Sequence, residues 1–596
     1  MKITWAFVFA LASSLLAQYP TYPGCSNLKE TDFREVKLIS RTEDPTMDEP
    51  MRMDFYQDDQ GNINIYYVER AGKIKYFDAA KKTMKVVGEL DVLFALESGL
   101  LGIALDPNFK TNRWVYFYWS PTTPKVYRIS RYTIRDDNTL DLTSQKVVLD
   151  IPDTRIGINV HNGGALQFDT KGNLWVAIGE HDHVTQDAGV YHNTTDKETS
   201  DEDESTDTYS LYGSVLKIHP EPDGSYTIPK GNFGEYWSQK FKDQGRSVLS
   251  GKYADPKLVR PEIYVKGFRD AMSVQVDAKT GWAVVSDCGG QCHKIPPQYY
   301  CPTTHGKTEK TMLITEPSFQ GWSYFIADNF PYAANKADER NPLAPVNKSP
   351  FRLGVDTLPP AVPGTYLYGL PKTLLVNNWI CSVGGYMYRY DGRSTSQVKF
   401  PPHFDGKFFI KDLNQSFIRS IEVDSKGAFV KASEDLFTGV LTRSHSLDMR
   451  QGPDGSMYLL NYAAFQYTHD ATTGLFKIEY TGNCKPISGC MTAGNPAFNP
   501  LAQFHDESQC LKVGIRDAHW DKSLIDFQGR MVRVSARGKH WVEIYDVSGN
   551  RVFIKDGEGQ AAYGTNLVNG VYFLRSNLIR MAQKIVVNDL GWSGAK

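Results

Sequence analysis

The sequence has no excess of charge of either sign. Its 66 Lys and Arg stand against 68 Asp and Glu, a formal net charge of −2, so no whole-chain basic field exists to gather nucleic acid or an anionic lipid surface. Beyond the first residues it also lacks any run near the roughly 18 unbroken apolar residues that a membrane helix needs, which argues against a transmembrane segment. The start is different in kind. Met1-Lys2 precedes an apolar stretch from Trp5 to Leu16, broken only by Ser13 and Ser14, and Ala17 then stands before the polar Gln18. That order reads as a secretory signal peptide over residues 1–17, and the mature chain is expected to be secreted or held at the cell surface. Residues 196–207, DKETSDEDESTD, contain no apolar residue at all. They read as a solvated surface insertion, and without Gly-punctuated ligand spacing they do not form a calcium loop.

What the chain has instead is strand and turn chemistry: 12% aromatic residues with 49 Gly and 31 Pro favour strands over helical bundles. A short pattern recurs, an Asp turn, then Gly, then an apolar and aromatic strand. It appears at Asp58 to Gly61 before Ile63 to Val68, at Asp169 to Gly172 before Leu174 to Gly179, at Asp277 to Gly281 before Trp282 to Ser286, and at Pro453 to Gly455 before Met457 to Tyr462. The 596 residues exceed one ordinary core. A propeller whose blades carry long inserted loops fits the spacing, with a chain of β-sandwiches as the alternative. The expected architecture is all-β: a six-bladed β-propeller over residues 26–481, a Cys/Pro/Gly linker over 482–520, and a small C-terminal β-sandwich over 521–596.

Three segments carry candidate chemistry. His161-Asn162-Gly163-Gly164 sits where a loop enters a strand, and a His there can act as a base near neutral pH. Glu97 precedes the Gly-started apolar strand from Gly99 to Leu105, and Arg269 with Asp270 follows Lys266-Gly267-Phe268. Each taken alone is equally a strand entry, an exposed loop His or a surface ion pair.

Taken together, these segments resemble the pyrroloquinoline-quinone-dependent glucose/sorbosone dehydrogenase family of soluble six-bladed propellers. The resemblance is carried by Glu69-Arg70-Ala71-Gly72-Lys73-Ile74, by Gly99 to Phe109, and by His161 to Gly179-Glu180. It continues through "GSVLKIHPEPDGSYTIPKGN" (213–232), "RPEIYVKGFR" (260–269), "GWSYFIADNFPY" (321–332), "LPPAVPGTYLYG" (358–369) and "DMRQGPDGSMYLLNY" (448–462). It implies a quinone-dependent oxidoreductase that turns the C1 hydroxyl of an aldose into a lactone. His161 would take the hydroxyl proton and Arg269 would stabilise charge on the cofactor. Glu97, Asn162, Arg269, Asp270, Asn414 and His445 would line the cofactor, and calcium would be held by the carbonyls of Gly289 and Gly290. Electrons would leave to an external acceptor.

The sequence departs from the family at Asp270-Ala271, where Asn-Pro is usual; an ionised Asp there would repel an anionic quinone unless calcium or Arg269 compensates. A basic residue of some members is replaced within Asp412-Leu413-Asn414-Gln415-Ser416, and an Arg-Pro-x-Asp element reads His445-Ser446-Leu447-Asp448. These leave open a non-catalytic propeller that binds carbohydrate or a surface partner, and a calcium-dependent lactonase-like hydrolase. "CGGQCHKIPPQYYCPTTH" (288–305) reads as disulfide-forming in an exported protein, ahead of a zinc loop or a stretched haem signature; the eight cysteines are not paired by sequence. From Met531 onward, strands ending in Tyr545-Asp546-Val547-Ser548-Gly549, then Gly570-Val571-Tyr572 and Lys584-Ile585-Val586-Val587, resemble a type IX secretion sorting domain, which implies cell-surface attachment.

Overall fold

The computed structural model describes residues 28–587, except 154–159, 181–201, 290–307, 332–340, 370–379, 416, 434–436, 438–444, 464–467, 485–487, 493–494, 496, 500–503, 506, 511–523, 529, 548 and 579–582. The chain divides into two compact units, Met1–Lys485 and Pro486–Lys596.

The first unit is a ring of six antiparallel sheets. Their innermost strands are Pro50–Gln57, Leu100–Leu105, Leu166–Phe168, Ala271–Val276, Ser382–Met387 and Ser446–Gln451, and each touches the next in order until the sixth meets the first. This is a six-bladed propeller. Each of the first five blades is built from one continuous stretch of chain, the fourth with a short two-stranded hairpin inserted before its last strand. The sixth takes Met457–Asn461 and Gly474–Tyr480 from the end of the unit and its outer strand, Phe33–Ser40, from the beginning, in a register that sets Phe33 opposite Tyr480.

The Asp-Gly pattern marks the turns between first and second strands. Asp58 accepts the backbone N–H groups of Gln60 and Asn62, and Asp169 those of Lys171 and Asn173, while Gly172 supplies the left-handed φ of 78° that closes such a turn. Each junction between neighbouring blades has its own apolar core. Tyr66, Val68, Phe117 and Ile103 lie between the first and second blades, and Ala177, Val265, Val274 and Val285 between the third and fourth. Two helices, Phe233–Asp243 and Ser247–Ala254, interrupt the third blade and cover its outer side through Phe241 and Tyr253; no sequence pattern singled them out.

The second unit is a small β domain. Met531–Asp546 pairs along most of its length with Arg551–Gly564 and at its two ends with Ile525–Gln528 and Gly570–Ser576; Gln583–Val587 completes the sheet. Val532, Val534, Val542, Ile544 and Leu574 form its core. Cys490 and Cys510 are joined within this unit, which staples part of the segment read as a linker.

Ring closure concentrates on Phe33, which is 5% exposed and packs its ring against Phe400, Phe437 and Tyr480 at centroid distances of 5.0, 4.9 and 5.2 Å. Phe33→Ala is expected to cost about 3–5 kcal/mol of propeller stability, read as a lower denaturant midpoint for the first unit with the second unit's transition unmoved.

Candidate active site

The turn that enters the third blade is locally unfavourable. His161 has φ 58°, Gly163 60° and Gly164 96°. At Gly163 a Cβ would lie 2.7 Å from the carbonyl oxygen of Ala177, so only glycine fits. A left-handed non-glycine residue such as His161 costs about 1–2 kcal/mol and persists where its surroundings hold it. Three parts of the ring do so. The N–H of His161 donates to Glu97 Oε2 at 2.6 Å, and that of Gly163 to Asp270 Oδ1 at 3.2 Å. Between them, Asn162 accepts the Tyr127 hydroxyl and donates to Ser98 Oγ at 3.3 Å.

The structure brings His161 and Arg269 to one carboxylate, Glu180. Its Oε1 lies 3.7 Å from His161 Nδ1 and 3.9 Å from Arg269 Nε. Its Oε2 accepts the Ser205 hydroxyl at 3.1 Å and the indole N–H of Trp322. Glu180 has no exposed surface. Arg269 also donates to the carbonyl of Cys288 at 3.1 Å and stands over the Trp322 ring. A fixed carboxylate beside an imidazole holds the ring in orientation and stabilises the imidazolium formed when it takes a proton. Glu180 closes the His161 motif in the sequence, but its role there is set by Ser205, Arg269 and Trp322, which only the fold brings near.

Glu97, Asn162, Asp270 and His445 lie on the wall of one cavity, together with Arg70, Met51, Leu101, Met272, Leu413 and Leu447. Arg52, also buried, reaches from the first blade and donates to the carbonyls of Met51 and, across the ring in the fourth blade, Met272. Asn414 stands behind His445, its Oδ1 3.0 Å from His445 Nε2. Gly289 donates its N–H to the buried Glu309 at 2.9 Å; Gly290 lies outside the described residues, as do Cys292, His293, Cys301 and His305. Cys288 is bonded to Cys381, a pairing across 93 residues that sequence could not supply.

Burial dominates the electrostatics. It pushes Asp270 well above the usual carboxylate range, and the charge of Glu97 pushes it further. Both causes favour the protonated, uncharged form of Asp270, which would not repel an anionic quinone as an ionised Asp would. Burial, then Lys411, lowers His445, so its ring is neutral and supplies no cationic contact.

The quinone implied by the sequence resemblance is rich in acceptor oxygens. Among the described residues the buried amide nitrogen of Asn414 and Nε of Arg52 carry N–H without a hydrogen-bond partner, but neither residue lines the cavity; Asn162 and Arg70, which do, bring N–H groups of the kind that suits a ligand rich in acceptors. Calcium is another matter. Among the described residues no group of three or more His, Cys, Asp or Glu side chains is placed to hold a metal ion, and of the two glycines expected to offer carbonyls only Gly289 is described.

Residues 47–292 match the model of the Glucose / Sorbosone dehydrogenase family. That span holds His161, Glu180, Arg269 and Asp270. An uncharacterized protein of Synechocystis sp. is 24% identical over 421 residues, spanning 67% of this chain and 79% of its own length. Two solved structures are similar in fold: the apo-form of the soluble aldose sugar dehydrogenase of Escherichia coli (18% identity, 75% of this chain and 99% of that one, TM-score 0.48) and the PQQ-bound form of aldose sugar dehydrogenase from Streptomyces coelicolor (16%, 75% and 98%, TM-score 0.46).

The neutral His445 gives the fold an acid limit. Its folded value lies below the ordinary imidazole value of about 6.5, so below that pH the unfolded chain binds more protons and stability falls as pH drops toward the folded value. Thermal denaturation between pH 7 and 5 is expected to show this slope, and His445→Asn, which tolerates the left-handed φ of 61° at this position, is expected to flatten it.

Proposed function

We propose that the propeller is a secreted quinone-dependent sugar dehydrogenase that oxidises the C1 hydroxyl of an aldose or related sugar to its lactone and passes the electrons to an external acceptor. The observation that carries the reading is Glu180, a wholly buried carboxylate placed between the imidazole of His161 and the guanidinium of Arg269. It is supported by the family model, which spans these residues.

In this reading His161 takes the proton of the sugar hydroxyl. The imidazolium so formed is held by Glu180, whose second oxygen is fixed by Ser205 and Trp322 and cannot turn away. A base so aligned contributes about two to four orders of magnitude in rate. Pyrroloquinoline quinone, when bound, supplies the two-electron acceptor for the C1 hydride. Arg269 and the cavity-wall residues Glu97, Asn162, Asp270 and His445, backed by Asn414, would hold it, with Arg269 providing the permanent positive charge near the reacting centre. The apolar Met51, Leu101, Met272, Leu413 and Leu447 keep bulk water from the wall. The signal-like residues 1–17 support export, and the C-terminal β domain is read as a sorting-type module for cell-surface attachment.

The test is dye reduction. The purified mature protein, supplied with the quinone and calcium, is expected to reduce a dye in the presence of simple aldoses, and His161→Ala to lose about 10²–10⁴-fold of that rate with its melting curve unchanged. No dye reduction on any aldose would favour the non-catalytic propeller that binds carbohydrate or a surface partner, for which the neutral His445 and the uncharged Gln415 speak. Lactone cleavage without the quinone would favour a hydrolase.

A further inference from the structure

Two carboxyl groups share the cavity wall, and they hold opposite ends of the same turn. Glu97 takes the N–H of His161 and Asp270 the N–H of Gly163. The charged groups facing Asp270 are Glu97, Asp287, Arg269 and Arg52. Neither cation is committed to it. Arg269 is engaged by the Cys288 carbonyl and lies within 4 Å of Glu180, while Arg52 is engaged by the carbonyls of Met51 and Met272. Asp270 forms no ion pair with any described residue and is 4% exposed. Its peptide N–H donates to Asp287 Oδ1 at 2.7 Å, and its carbonyl accepts the Cys288 N–H at 2.9 Å. Oδ1 is taken by Gly163, and no described residue bonds Oδ2.

Arg70, also on the cavity wall, bonds the carbonyls of Leu96 and Ser98 on either side of Glu97, whereas among the described residues Asp270 has no such cation; two carboxyl groups on one wall disfavour each other's ionised form, so that one tends to keep its proton. Which member retains it follows from the hydrogen bonds. An N–H donated to a carboxylate favours its charged form, and the bond to Glu97, 2.6 Å, is much shorter than the bond to Asp270, 3.2 Å. These bonds favour the charged form at Glu97 and the proton at Asp270, in line with the upward displacement of Asp270 by burial and by Glu97. A neutral carboxylic acid has nearly the shape of an asparagine side chain. One oxygen accepts, and the other position donates. The Asn usual at this position in the glucose/sorbosone dehydrogenase family is therefore replaced here by a group of the same hydrogen-bonding pattern, but one whose donor is removable.

We propose that Asp270 is the proton-carrying member of a carboxyl pair with Glu97, and that its O–H is the donor by which the cavity recognises a carbonyl or carboxylate oxygen of its ligand. The identity of that ligand as the quinone rests on the function proposed above. In consequence the cavity accepts an anionic, acceptor-rich ligand only while the pair holds its proton, and Asp270 determines selectivity by charge as well as by shape.

The test has two separable arms. In the first, infrared spectra of the ligand-free protein at pH 7 are compared for the wild type, Asp270→Asn and Asp287→Asn. The wild type is expected to show a protonated-carboxyl C=O band, shifted in D₂O, that is missing in Asp270→Asn and kept in Asp287→Asn. No such difference between wild type and Asp270→Asn overturns the proposal. In the second, affinity for pyrroloquinoline quinone is measured by calorimetry across the pH range in which the band disappears. Wild-type affinity is expected to fall by about tenfold per pH unit past that midpoint, that of Asp270→Asn to stay level, and that of Asp270→Ala to be weak throughout. The same pH slope in wild type and Asp270→Asn overturns the donor role. No quinone binding by either protein at any pH, with the band in place, overturns the proposed function and the ligand assignment together.

Discussion

A carboxylate without any exposed surface is costly to bury, several kcal/mol even after the protein relaxes, and the candidate site is arranged around how Glu180 meets that cost. Two fixed donors, Ser205 and Trp322, hold one oxygen, and an imidazole and a guanidinium approach the other. The same contacts that make Glu180 tolerable also orient His161 and Arg269. Removing either donor would leave the charge less well compensated and the two rings less well aligned, so stability and chemistry are coupled at this one side chain.

The ring shows where such a residue comes from. The second strand of several blades ends in a polar residue that ties down the chain entering the blade. Glu69 accepts the N–H of Asp48, Asp287 that of Asp270, Asp412 that of Cys381, and Asn461 accepts the hydroxyl of Ser446. Glu180 stands at the corresponding end of Leu174–Ile178, yet its side-chain oxygens serve His161, Arg269, Ser205 and Trp322. One copy of a repeated structural tie has been turned toward the cavity. Asp270 is similarly drawn in, since it is held by the tie of its own blade and braces the His161 turn of the neighbouring one.

Much of this was legible in the chain itself. The Asp-Gly turns at Asp58 and Asp169 announced first-to-second strand hairpins because the side chain of Asp makes the turn locally, without help from distant residues. The ordered motifs around His161 and Arg269 placed both in the candidate site. What escaped was whatever depends on residues far apart. Phe33–Ser40 completes the last blade by pairing with a strand some 440 positions later, and no local pattern marks it for that role. Arg52 looks like one more charge on a strand and is instead buried across the ring. Asp270 reads as a negative charge because its sequence neighbours say nothing of its burial or of Glu97, both of which push its titration upward.

The way the sixth blade is assembled sets an order of events during synthesis. Its outer strand is among the first parts of the propeller to leave the ribosome, and its three partners are the last. Until Tyr480 has emerged, the strand Phe33–Ser40 lacks its sheet partners and the open ring exposes the apolar faces of its first and fifth blades. A prematurely terminated product would be left as an open arc with its first strand unpaired, and quality-control proteases would meet it as an exposed ribbon rather than as a slightly shortened propeller.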